Sequence, residues 1–221
     1  MYTLNNTVIG IGTLVILFSL IFALIIQKNS KAYMQGFFVC PLIALSVSIN
    51  SICGSLLLLY SWDLFYNIQS FLFLLDLFFW TSFFLRIFNN KLDSEIIIIL
   101  LVITLLVSVY LLFFSKVDNR NLHIPALSAI CKTIFCIYFY YKLFKNMSYQ
   151  NILLVPSFWI ITGLIFYSCL SLPFYGLNSY FKQQFSPLIS SNIFSISNML
   201  IIIMHLFFIK AYLCTIRLHR A

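Results

Sequence analysis

Long apolar runs separated by short polar links set the pattern of this chain. Apolar runs cover about 8–27, 34–60, 64–88, 96–114, 123–144, 152–177 and 188–214. The links between them hold most of the charge, as in Asn89-Asn90-Lys91-Leu92-Asp93-Ser94-Glu95 and Lys116-Val-Asp-Asn-Arg-Asn121. Each run reaches about the 20 residues that a helix needs to cross a bilayer. None alternates with the period of two expected of barrel strands. Several are rich in Ile, Phe, Val and Tyr, but length argues for helix, because a helix satisfies its own backbone in lipid. The pattern predicts an all-α membrane protein, a seven-transmembrane-helix bundle forming a single polytopic domain over 1–221.

Composition sharpens that expectation. Hydrophobic residues make up 62% of the chain and charged residues 8%, against roughly 25% charged in an average soluble domain. A soluble protein of this size needs a polar exterior that this chain does not supply. The lipid bilayer is therefore its first expected partner. Seven spans with short links leave no room within 1–221 for a catalytic or nucleotide-binding domain.

The net charge of +8 does not point to nucleic acid, because the basic residues do not cluster on one element. They flank the apolar runs, as topology signals do. One side of a seven-span bundle receives Lys28, Lys31, Arg86, Lys91, Lys142, Lys145, Arg217 and Arg220; the other receives Lys116, Arg120 and Lys182. Eight against three predicts the N-terminus outside and the C-terminus in the cytoplasm. The first run has no Lys or Arg before it, unlike a cleavable signal peptide, and reads as a retained helix. Tyr60, Trp62 and Tyr66 then fall near the outer interface, and Tyr138, Tyr140 and Tyr141 near the inner one.

Ionisable groups at membrane depth are the candidate chemistry, since each is costly there. Asp76 lies 14 residues past Trp62, roughly 20 Å deep, and Lys132 nine residues past His123, roughly 13 Å deep from the same side. With its long stem, Lys132 can reach Asp76, so the pair is expected inside the bundle. Such a pair serves either a proton-, ion- or ligand-sensitive site or structure alone. His205 reads as a hydrogen-bonded packing residue rather than a ligand. Asn50, Asn67, Gln69, Asn192 and Asn198 are expected to bond between helices or to line a polar cavity. Gly163 and Gly176, beside Pro156 and Pro173, are expected to allow close packing or a kink.

Other chemistry is thin. The six cysteines all lie in apolar runs without metal-ligand spacing and read as small apolar packing residues. His123, His205 and His219 are too scattered for a zinc site, and there is no HExxH, GxSxG or phosphate-cradling glycine loop. Lys210 in the seventh run invites a retinal-protein reading. Its surroundings, Phe207-Phe208-Ile209-Lys210-Ala211-Tyr212 with Leu206 one turn before, do not resemble a retinal-lysine helix. Lys210 is expected to snorkel to the inner surface. No cofactor and no metal is expected, and an enzymatic activity is possible but has no support in the sequence.

The sixth run carries a more specific signal. It reads Pro156-Ser-Phe158-Trp159-Ile-Ile-Thr162-Gly163-Leu164, then Ser171-Leu172-Pro173-Phe174-Tyr175-Gly176. This resembles a widespread bacterial family of small, uncharacterised seven-helix membrane proteins with a similar Phe-Trp, Thr-Gly-Leu and Leu-Pro pattern in the sixth helix. The third run, with Tyr66-Asn67, and the seventh, with Asn198, look like that family too. Its third helix often carries an early Glu; here Asp76 lies further along, and no functional residue is carried over. Genes of the family often sit beside sensor histidine kinases. The resemblance therefore implies a sensory protein of the bacterial cytoplasmic membrane with a cytoplasmic signalling partner. On that expectation the outer half binds a ligand or senses the membrane, and helix ends at 86–95, 142–150 and 214–221 meet the partner. A small-solute transporter and a structural subunit of a membrane assembly are the alternatives.

Overall fold

A computed structural model describes residues 2–26, 37–56, 62–88, 90–114, 117–145, 152–184 and 187–220, with side chains described over a smaller part of that range. Seven α-helices account for nearly all of it: α1 (Tyr2–Ile26), α2 (Val39–Leu56), α3 (Trp62–Ile87), α4 (Lys91–Phe114), α5 (Val117–Lys145), α6 (Pro156–Gln184) and α7 (Pro187–Arg220). Among the described residues, six of these helices are long and apolar enough to cross a membrane: α1, α3, α4, α5, α6 and α7.

Helix boundaries depart from the expected runs mainly at polar links. Lys91, Asp93 and Glu95 belong to the first turns of α4 rather than to a loop, and α5 begins at Val117 rather than near His123. Polar residues tolerate a helical backbone at the end of a span, where water and headgroups still reach them. The sixth run is divided. Ile152–Leu154 form a 3-10 turn, and α6 opens at Pro156, where the missing N–H of proline costs nothing. Pro156 is thus a helix start and not a kink. Pro173 lies inside α6 and Pro125 inside α5.

Six helices close into a ring in the order α1, α2, α3, α5, α6, α7, with α7 packed back against α1. The remaining helix, α4, docks outside the ring against α3 and α5. Aromatic side chains fill the middle of the ring. Phe37 meets Trp80, Phe83, Phe208 and Tyr212, and Trp80 meets Phe208 across from α3 to α7.

The surface is inverted relative to a soluble protein. Ile98, Ile99, Val102, Ile103, Leu106 and Tyr110 of α4 are exposed, while its buried stripe is Asp93, Ile97, Thr104 and Ser108. In α1, Ile11, Leu14, Phe18, Ile21 and Ile25 face out and Ser19 is fully buried. An apolar exterior over a polar-bearing interior suits a lipid solvent and no other. The chain is an integral membrane protein with a membrane-spanning helical bundle.

A glycine permits a close crossing of α6 and α7. A Cβ placed on Gly163 of α6 would stand 2.8 Å from Cβ of Phe207 and 3.1 Å from the carbonyl oxygen of Met204, both on α7. Without a side chain, α6 and α7 approach closely enough for backbone-level packing, the usual use of small residues between membrane helices. Gly176 has open space around it and serves no such contact among the described residues.

A candidate site at a buried ion pair

Asp76 lies near the middle of α3, and Lys132 near the middle of α5, which packs beside α3. Their shared depth follows from their similar distance from the start of each helix. The Lys132 Nζ donates to Oδ2 of Asp76 at 2.7 Å. The other carboxylate oxygen, Oδ1, accepts from the indole N–H of Trp80 at 3.0 Å, one turn along the same helix. Both oxygens of Asp76 are therefore engaged by donors, which is how a carboxylate persists in a low-dielectric interior. The two partners differ in access: the side chain of Lys132 is 4% exposed and that of Asp76 18%.

Groups from two further helices surround the pair. On α6, the Tyr167 and Tyr175 hydroxyls lie 3.3 Å apart, and Tyr175 is an electrostatic neighbour of both Asp76 and Lys132. The ring of Phe73 meets Tyr175 edge-on. Cys40 of α2 is buried and also lies within electrostatic reach of the pair. On α5, Ser128 sits one turn before Lys132 on the same face. It is buried, and its hydroxyl has no hydrogen-bond partner among the described residues.

A second ion pair lies at the other end of α5. Lys142 approaches Asp93 of α4 at 3.0 Å, and the Tyr138 hydroxyl donates to the same carboxylate. The Lys142 ammonium also stands over the Tyr138 ring, 5.6 Å from its centre. Tyr138 thus does more than sit at the level of the headgroups, as its place in the sequence predicts; it joins two helices. Tyr140 likewise meets Thr162 of α6 at 2.7 Å.

The remaining candidate residues fall elsewhere. His205 is fully buried on α7, its Nδ1 3.1 Å from the Ser19 hydroxyl of α1, and it packs edge-on against Phe208. This polar contact closes the ring between α1 and α7. Asn198 is half-buried on α7. Asn50 and Asn67 lie in α2 and α3, but their side chains are outside the described residues. Lys210 is exposed, its ammonium 5.6 Å from the ring centre of Trp159, while the Trp159 N–H donates to the carbonyl of Leu153. Among the described residues no group of His, Cys, Asp or Glu is arranged to hold a metal ion.

Sequence reasoning brings Asp76 and Lys132 together but misses their neighbours. The one signal for Trp80 is its place as an N–H donor one helical turn from an intramembrane aspartate. Tyr167 and Tyr175 carry no signal in a chain with 13 tyrosines and 25 phenylalanines. Asp93 reads as a loop residue because it lies in a polar link. No family of known proteins, no curated protein and no solved structure matches this chain.

Proposed function

We propose that this chain is a non-enzymatic membrane receptor that passes a signal to a cytoplasmic partner, with the Asp76–Lys132 pair as its sensing element. The supporting observation is the pair itself. A 2.7 Å ion pair held inside a membrane bundle is an expensive arrangement, and intramembrane charges of this kind mark functional sites. The pair also ties α3 to α5, so whatever opens it changes how two neighbouring ring helices are held. A receptor needs two packings of its bundle separated by a few kcal/mol. Making or breaking a buried pair is worth about that much.

In this reading the loop charges set the topology, with the N-terminus outside a bacterial cytoplasmic membrane and the C-terminus inside. The α3–α4 turn and the end of α5 then face the partner, for which a histidine kinase is our first candidate. A photo-cross-linking side chain at position 95 or 145 in native membranes tests this. A soluble protein should be captured, and Asp76→Asn should change its yield several-fold at an unchanged membrane level of the chain. Equal capture from both versions would refute the role of Asp76.

One observation favours a second reading. Asp76 is more accessible than Lys132, as a coupling group in a small-solute transporter must be. Solute uptake by reconstituted vesicles, abolished in Asp76→Asn, would select that reading over the receptor.

A further inference from the structure

The chemistry around Asp76 restricts what could act there. Opening the pair with a singly charged molecule would satisfy one partner and leave the other uncompensated in a low-dielectric interior, an arrangement strongly disfavoured. A molecule carrying both charges satisfies each partner at once and keeps the interior neutral. Hydrogen-bonding capacity is also in place. Ser128, buried and one turn from Lys132, has a hydroxyl with no partner among the described residues. Buried polar groups are rarely left that way without a ligand or water to meet them. Asp76 is the accessible member of the pair, and Tyr175 and Phe73 place aromatic surface beside it.

We propose that the surroundings of the Asp76–Lys132 pair bind a small zwitterion, a molecule with an ammonium group and a carboxylate or phosphate oxyanion a few bonds apart. Its oxyanion takes Lys132 and the Ser128 hydroxyl, and its ammonium takes the Asp76 carboxylate. This rests on the receptor reading and supplies the ligand class that reading lacks. Free amino acids and ethanolamine-type lipid headgroups share this chemistry.

Delipidated protein in detergent, followed by tryptophan fluorescence on heating, tests the proposal. The probes are alanine, β-alanine and a short-chain phosphatidylethanolamine, with acetate and ethylammonium as single-charge controls. At least one zwitterion should raise the midpoint saturably, by roughly 3–6 °C at ten times its half-saturating concentration. The single-charge ions should leave it in place. A shift with an amino acid identifies a soluble ligand; a shift with the lipid alone identifies a headgroup. No shift with any zwitterion, or an equal shift with acetate or ethylammonium, overturns the proposal.

Two variants sharpen the result. Asp76→Asn combined with Lys132→Gln removes both charges without stranding either and should lose the zwitterion shift; a retained shift overturns the proposal. Ser128→Ala, which removes a hydroxyl that bonds nothing among the described residues, keeps the fold. It should raise the half-saturating concentration about fivefold, the loss of one hydrogen bond, and an unchanged value counts against the site. If no zwitterion binds but Asp76→Asn still alters partner cross-linking, the ligand class falls and the receptor reading stands.

Discussion

Two lysines of α5 each hold an aspartate on another helix, in very different surroundings. Lys132 is buried at mid-helix and reaches Asp76 of α3, inside the ring. Lys142, ten residues on and so roughly 15 Å along the axis, reaches Asp93 at the first turn of α4; the Lys142 side chain is 27% exposed and that of Asp93 5%. Water and salt reach the second pair through its lysine and weaken it. They do not screen the first, where breaking the pair strands a charge. The same two residue types therefore form a pair enclosed by the bundle in one place and a partly exposed tether in the other. Depth decides which, and the residue types do not.

The comparison breaks most visibly at Lys132. Among the described residues, Lys132→Ala leaves Asp76 with only the Trp80 donor, and it should destabilise the bundle by about 3–5 kcal/mol, read as a large fall in the detergent unfolding midpoint. Lys142→Ala should lower that midpoint much less, because the Tyr138 hydroxyl still donates to Asp93 and solvent reaches the lysine's place. Equal effects would mean that depth is not the controlling variable. The next largest effect belongs to the α6–α7 crossing. Gly163→Ala forces a methyl group against Phe207 and the Met204 carbonyl and should cost about 1–3 kcal/mol through overpacking, with both ion pairs left in place.

Smaller effects sharpen the contrast. Pairing Asp76→Asn with Lys132→Gln should recover most of the stability lost in either single variant, because no orphan charge remains; a double-mutant cycle reads this directly. At the other end, Tyr138→Phe removes one donor to Asp93 and should cost at most about 1 kcal/mol. Raising the salt concentration should erase any difference between Lys142→Ala and the native chain, and should leave the Lys132→Ala deficit intact.

Much of this arrangement is legible in the order of residues alone. Seven helical runs follow from length and apolar content, and the Asp76–Lys132 pair follows from matched depth on two spans that run in the same direction. The helix faces are not legible. Inside and outside of a membrane bundle are both apolar, so periodicity does not separate lipid-facing Ile99 and Ile103 from buried Ile97 on α4. For the same reason the sequence does not reveal that α4 stands outside the ring. Asp93 escapes a sequence reading because a polar link looks like a loop, although the end of a span accommodates polar side chains on a helix. Trp80, Tyr167 and Tyr175 act through single N–H or O–H groups, which composition does not distinguish from apolar bulk.

The closure of the ring through α1 and α7 has a consequence for biogenesis. The Ser19 hydroxyl and the His205 ring that meet there are 186 residues apart along the chain. Until α7 leaves the ribosome, the side of α1 that it covers has only lipid or insertion machinery to face, and the growing assembly is an open crescent. Final locking of the bundle therefore waits for α7, and the partially built crescent is the stage at which membrane quality control has its best access to this protein.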